Sequence, residues 1–175
     1  MSDIAVRAAC RDDLPRLTEI YNHYVLTTPV TFDVEPYTVE RRLTWFEQFA
    51  TTGRHRLFVA TTDAGIVGYA GTTRFRPKPA YETTVESTIY CSPECVGQGV
   101  GKRLYGTLFD AIAGEDVHRV VAGYALPNPA SARLHEQFGF RPVGVFTENG
   151  RKFGRYWDVA WVEKRLANLF RDGDV

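Results

Sequence analysis

Glu86 stands in the middle of "TTVESTIYC", a segment otherwise rich in β-branched residues. An acid there breaks the local pattern, and such breaks are expected at functional sites. Strand alternation puts Glu86, Thr88 and Tyr90 on one face and Val85, Ser87 and Ile89 on the other. A carboxylate so placed can take a proton from an amine, directly or through one water. The plain alternative is a charge on the wet face of a strand. Asn128, Ser131 and His135 are spaced i, i+3 and i+7, one face of a helix. His135 suits a proton donor, a relay or a substrate contact; a partly exposed helix histidine is the other reading. In "PECVGQGVGKRLYG", Gly97, Gly99 and Gly101 alternate just before an apolar run, and Lys102 and Arg103 follow at once. Glycines before a helix let backbone N–H groups approach an anion such as phosphate closely. The spacing fits neither G-x-x-x-x-G-K-[ST] nor G-x-G-x-x-G. By itself the stretch reads equally well as a phosphate site or as a structural loop.

These groups need a scaffold. "DIAVRAA" reads as a first strand. "DDLPRLTEIYNHYVL" has Leu14, Leu17, Ile20, Tyr21, Tyr24 and Val25 at helical spacing, with acids at its start. "TTPVTFDVEP" breaks that period with two prolines. "TVERRLTWFEQFA" is a second helix, with Val39, Leu43, Phe46 and Phe49 on one side. "RLFVAT" and "IVGYAGTTR" flank a turn as a hairpin. The Glu86 strand follows, then a helix from the glycine stretch to about Gly114. "HRVVAGYA" is a strand, and "PNPASARLHEQFGF" a helix closed by Gly139 as a left-handed cap. "RPVGVFTE" and "KFGRYWDVAWVEKRL" are two final strands. The order β-α-α-β-β-β-α-β-α-β-β predicts a mixed α/β sheet, with a right-handed βαβ unit at its centre.

A chain of 175 residues suggests one domain, with its core between about 3 and 166. Lys and Arg together number 21, as do Asp and Glu, which argues against nucleic acid as the main partner. No apolar run approaches the roughly 18 residues of a membrane span. "MSDIAVRAAC" lacks the basic start and apolar stretch of a signal peptide, so a cytoplasmic protein is expected. Cys10, Cys91 and Cys95 do not make a disulfide framework. Cys91 and Cys95 lack a second pair, so buried or idle thiols are expected rather than a metal site.

The glycine stretch after a strand, followed after the next strand by "NPASARLHEQFGF", resembles the GNAT superfamily of acyl-CoA-dependent N-acetyltransferases. "YNHYVLTTPVTFDVEP", "FRPKPAYETTVESTIY", "LPNPASARLHEQFGF" and "GRKFGRYWDVAW" together resemble its phosphinothricin and methionine sulfoximine acetyltransferase branch, over roughly residues 3 to 166. The resemblance implies a mostly antiparallel twisted sheet with about four helices, and acetyl-CoA as cosubstrate. The backbone of Gly97, Gln98, Gly99, Val100, Gly101 and Lys102 would hold the pyrophosphate. Ile89, Tyr90 and Cys91 would meet the pantetheine arm on a strand splayed from its neighbour. Asn128 and Ser131 would contact the cofactor. Glu86 would be the general base, and His135 stands where the superfamily often has a Tyr acid. The family loop usually opens with Gln or Arg, where this chain has Val96.

The same resemblance implies a small amino acid or analogue as acceptor. Arg76 would pair with its carboxylate through a planar fork, and Phe32, Tyr81 and Lys152 would line its pocket. Direct attack is expected, with a backbone N–H of residues 89–91 polarising the carbonyl; Cys91 as acyl carrier is the competing mechanism. Other readings are acetylation of another amine, such as a protein N-terminus or an antibiotic, and a non-catalytic acyl-CoA-binding module. The resemblance further implies a homodimer, with the aromatic C-terminal strands as its contact.

Overall fold

The computed structural model describes residues 3–166. Its strands are β1 (Ala5–Ala8), β2 (Leu57–Thr62), β3 (Gly65–Arg74), β4 (Thr84–Cys91), β5 (Arg119–Ala125), β6 (Arg141–Lys152) and β7 (Arg155–Arg165). Its helices are α1 (Leu14–Thr27), α2 (Val39–Phe46), α3 (Val100–Ile112) and α4 (Pro129–Gln137). The strands form one seven-stranded sheet in the order β1-β2-β3-β4-β5-β7-β6. Among the described strands only β4–β5 is parallel; every other pair is antiparallel. The mixed α/β sheet with a central βαβ unit is as expected. No helix among the described residues is long and apolar enough to cross a membrane.

Alternation divides the core between the two faces of the sheet. On one face, Phe58, Ala70, Val85 and Val120 pack with Leu104, Leu108 and Ile112 of α3. Full burial of such side chains stabilises by about 1.5–3 kcal/mol each, as an upper estimate. On the other face, Leu57, Val59 and Tyr69 pack with Leu17 and Ile20 of α1, and with Trp45 and Phe46 of α2. Strand β4 is central to both, because Val85, Ile89 and Cys91 face α3 while Tyr90 faces α1 and α2.

Three local readings differ. Asp13 is the N-cap of α1 but makes no side-chain hydrogen bond to the helix. Asp13 instead takes both Arg7 guanidinium nitrogens at 2.7 Å and the Cys10 N–H at 2.8 Å, closing a 3-10 turn over Arg11–Asp13. Helix α2 ends at Phe46, short of the expected run, and its one buried side chain is Arg42 rather than an apolar residue. Strand β6 runs on to Lys152, with register shifts near Gly144 and Gly150 that bend it along β7. Gly139 does cap α4 at φ 76°, a left-handed conformation that glycine adopts without a Cβ penalty.

Candidate active site

The site starts from a defect in the sheet. β4 and β5 pair only at Thr84, Val85 and Glu86, opposite Arg119, Val120 and Val121. Beyond Glu86 the two strands part. Ser87 to Cys91 on one side and Ala122 to Tyr124 on the other line a cleft of about 670 Å³. β4 keeps its antiparallel pairing with β3 from Val85 to Cys91. The splay therefore opens one backbone edge of β4 without weakening the strand.

The glycine stretch borders the same cleft. Gly97 and Gly99 have φ of 84° and 85°, and a Cβ on either would meet nothing within 4 Å. These two glycines serve backbone conformation, not space. Gly101 differs, because a Cβ there would sit 3.1 Å from Leu134, so it lets α3 approach α4. Gly99 caps α3 without any side-chain hydrogen bond, and the first turn-closing bond runs from Arg103 N–H to the Gly99 carbonyl. The N–H groups of the first turn thus lack helical partners, and the helix dipole adds partial positive charge. Lys102 and Arg133 bring cationic side chains to the cleft wall. A long wedge with an anion-ready end fits an acyl-CoA, whose pyrophosphate and pantetheine arm need those two features.

Of the expected cofactor residues, Ile89, Tyr90, Cys91, Gly97, Gly99, Gly101, Lys102, Asn128 and Ser131 line this cleft, together with His135 and Val96. Gln98 and Val100 do not. Gln98 donates its side-chain amide to the Glu94 carbonyl at 2.7 Å, and the Val100 side chain is buried under the sheet. The Gln98 backbone N–H is also engaged, donating to the Cys95 carbonyl at 3.3 Å, which leaves the Val100 backbone N–H to a ligand. Asn128 caps α4 by accepting the Ser131 N–H at 3.0 Å.

His135 is 3% exposed and fully engaged. Its Nδ1–H donates to the Ser131 carbonyl at 2.8 Å, which leaves Nε2 as acceptor for the Tyr105 hydroxyl at 3.1 Å. Tyr105 in turn lies 3.4 Å from the Ser87 hydroxyl. The His135 ring stacks on Tyr124, with centroids 5.5 Å apart. Burial lowers the imidazole pKa below the ordinary 6.5, so the ring is neutral at pH 7. Tyr105 and Ser87 carry no sequence signal beyond helical and strand spacing, and their link to His135 emerges only when β4, α3 and α4 meet.

Glu86 lies on the opposite face, half-buried. Burial raises its pKa above the ordinary 4.5, while the Arg76 guanidinium pulls it down. A carboxylate shifted this way is a stronger base than one in water. Arg76 is exposed, and its guanidinium lies 4.9 Å from the Phe75 ring centre. Tyr81 meets the same ring edge-on at 5.9 Å. Lys152 is buried, and its ammonium donates to the Thr31 carbonyl at 2.8 Å. Phe32 covers Gly150, where an added Cβ would lie 2.4 Å from its ring. Phe32 and Lys152 therefore tie the segment after α1 to β6. Arg76 and Tyr81 sit together near Glu86, whereas Phe32 and Lys152 form a separate clasp. Cys91 is half-buried, and desolvation pushes its thiol up to about 12.

Residues 6–161 match the family model for the acetyltransferase (GNAT) domain. The chain is 53% identical over 167 residues to the phosphinothricin N-acetyltransferase of Streptomyces coelicolor, covering 94% of this chain and 98% of that one. It is 32% identical to the L-methionine sulfoximine/L-methionine sulfone acetyltransferase of Salmonella typhimurium, covering 93% and 95%. A phosphinothricin acetyltransferase from Sinorhizobium meliloti, solved in complex with AcCoA, superposes with a TM-score of 0.88 at 32% identity, over 95% of this chain and 90% of that one. With a matching family model across most of its length and the splayed β4–β5 wedge to go with it, this chain belongs to the GNAT acetyltransferase family.

Proposed function

We propose that this protein transfers the acetyl group of acetyl-CoA to the α-amine of a small amino acid or analogue. Phosphinothricin and methionine sulfoximine are the compounds named for its relatives. The observation that carries the reading is the two-sided use of β4. Thr88 and Tyr90 line both the acyl-CoA cleft and a second cavity on the Glu86 face. An amine held beside Glu86 therefore meets the open strand edge from the other side of the sheet.

Acetyl-CoA supplies an activated acyl thioester; the chain's residues do the rest. Backbone N–H groups of Gly97 and of Gly99 to Lys102 hold the pyrophosphate, and Asn128 and Ser131 border the arm. Free N–H groups in the open 89–91 edge polarise the carbonyl. An alkyl ammonium has a pKa of roughly 10.4, so its deprotonation at neutral pH costs several kcal/mol. Glu86, with its raised pKa, takes that proton. Arg76 pairs with the substrate carboxylate. His135, held neutral with Nε2 accepting from Tyr105, orients the Tyr105 hydroxyl, which borders the cleft together with Ser87, and the departing thiolate takes its proton from solvent there. Attack is direct: a Cys91 thiol at about 12 holds little thiolate at pH 7 and makes a poor acyl carrier.

The described residues act as one domain, in the cytoplasm, a compartment that suits three free cysteines. The working form is a homodimer through β6 and β7. β6 is an edge strand, and it carries exposed Val143, Val145 and Phe146 beside exposed Phe153 and Tyr156. Such a patch on an open edge favours association. Sedimentation should show a dimer, and Phe146→Asp a monomer; a monomeric wild type rejects this assembly.

Thiol release from acetyl-CoA with a panel of amino acids, phosphinothricin and methionine sulfoximine tests the activity. Release with at least one of them is expected. No release above background with any amine rejects the enzyme reading and leaves an acyl-CoA-binding module.

A further inference from the structure

Arg42 is 4% exposed, yet it forms no ion pair within 4.0 Å among the described residues. Its guanidinium lies 4.1 Å from the Tyr21 ring centre and 4.0 Å from that of Trp45. Its one side-chain hydrogen bond goes from Nη2 to the Tyr69 hydroxyl at 3.4 Å, near the limit for such a bond. Its Nε–H has no partner among the described residues. Burying a cation costs several kcal/mol, and aromatic faces offset only about 0.5–2 of that. A protein keeps such a group where something else completes it.

The something else has a place to sit. Arg42 lines a small cavity of about 150 Å³ with Tyr21, Asp33, Tyr37, Trp45 and Thr88. Thr88 and Tyr90 join that cavity to the face of β4 that carries Glu86. Two residues of strand rise roughly 6.6 Å, at about 3.3 Å each. A three- or four-carbon side chain on an amino acid spans that distance. Arg76 stands beyond Glu86 at the opposite end. An amino acid lying along β4, with its amine at Glu86 and its carboxylate toward Arg76, therefore points its side chain at Arg42. The other charged group in the cavity is Asp33, whose carboxylate accepts from the Tyr21 hydroxyl.

We infer that the Arg42 cavity receives the side-chain tip of the acceptor amino acid and selects tips that present an oxygen-bearing phosphorus or sulfur centre. The inference rests on the reading of this protein as an amino acid acetyltransferase. A guanidinium with a free N–H matches a phosphinate or a polarised S–O oxygen, whereas an apolar side chain would leave that N–H unsatisfied. Arg42 is thus a specificity residue, distinct from the Arg76 contact that all amino acids share.

The test measures initial rates with phosphinothricin, methionine sulfone and norleucine for the wild type, Arg42→Gln and Arg42→Lys. In Arg42→Gln, KM for phosphinothricin and the sulfone should rise about tenfold to hundredfold, the range that loss of one charged hydrogen bond implies. KM for norleucine and for acetyl-CoA should not move. A larger effect on phosphinothricin than on the sulfone identifies charge as what is read; an equal effect identifies the oxo group. An equal loss for norleucine, or an unchanged KM for phosphinothricin, overturns the inference. Arg42→Lys keeps charge and bulk, so it carries the same comparison if the Gln variant does not fold. If the wild type acetylates no amino acid, calorimetric titration with phosphinothricin separates the two readings. Binding that disappears in Arg42→Gln supports the cavity without the activity, and no binding to the wild type overturns both.

Discussion

The two faces of β4 differ in how completely their polar groups are matched. Toward α3 and α4, Ser131, His135, Tyr105 and Ser87 form a continuous chain of contacts between 2.8 and 3.4 Å. Toward α1 and α2, Glu86 is half-buried with a raised pKa. Among the described residues, the two buried side-chain nitrogens without partners, Arg42 Nε and Trp161 Nε1, lie on this same face. Trp161 is placed there by Gly123, its register partner, whose Cβ would meet the indole at 3.1 Å. Gly123 shares the Glu86 face because Val121, two residues earlier, pairs with Glu86. Matched groups cost nothing to keep and hold a position. Unmatched groups cost stability until a ligand arrives. The proposed function makes one face of the strand the holder and the other the receiver.

The largest break in this contrast should come from Glu86. Glu86→Gln is expected to lower kcat/KM for the amino acid about 100-fold to 10,000-fold, the usual worth of a general base. The same variant should be more heat-stable than the wild type at neutral pH. The raised pKa means that the folded state favours protonated Glu86. That stability is fully present below 4.5 and is lost as pH rises through the folded pKa. A neutral Gln avoids the loss. Thermal melts of the two proteins check it, and a merely structural carboxylate would shift them the other way.

Gly99→Ala should cost about 1–3 kcal/mol, the strain of a left-handed non-glycine residue. KM for acetyl-CoA should rise with it, while Gly101→Ala should disturb α3–α4 packing instead. Melting curves and acetyl-CoA titrations separate the two. His135 gives a smaller, pH-dependent effect. Its lowered pKa means that its stability is present above 6.5 and is lost as pH falls through the folded value. The wild-type melting temperature should therefore drop below pH 6.5, and His135→Asn should flatten that part of the curve. The smallest effect is expected at Cys91, where Cys91→Ala should leave turnover within about twofold, because a thiol pushed up to about 12 is a weak nucleophile.

The sequence revealed the held face better than the receiving one. The element order, the glycine stretch and the Asn128 helix are local patterns, and each survives as a local feature of the fold. The purpose of the individual glycines was not local: Gly97 and Gly99 answer to backbone torsion, Gly101 to Leu134 in another helix. Glu86 stands out in the sequence because it interrupts a strand rich in β-branched residues. Arg42 was not, because "VERRLTWF" reads as an ordinary amphipathic helix with its basic residues in water. The signal was the i, i+3 pair Arg42 and Trp45, a spacing that lays a cation over a ring. Lys152 shows the reverse case. It resembled a substrate contact, and the fold occupies its ammonium with the Thr31 carbonyl.

If the Glu86 face receives and deprotonates the amine, Glu86 must titrate in the reaction. The direct measurement is the pH dependence of kcat/KM for the acceptor amino acid in the wild type and in Glu86→Gln, at saturating acetyl-CoA. The wild type should show an acidic limb, rising through a pKa above 4.5, that is absent from the residual activity of the variant. The same limb in both proteins, or undiminished turnover in Glu86→Gln, would contradict it.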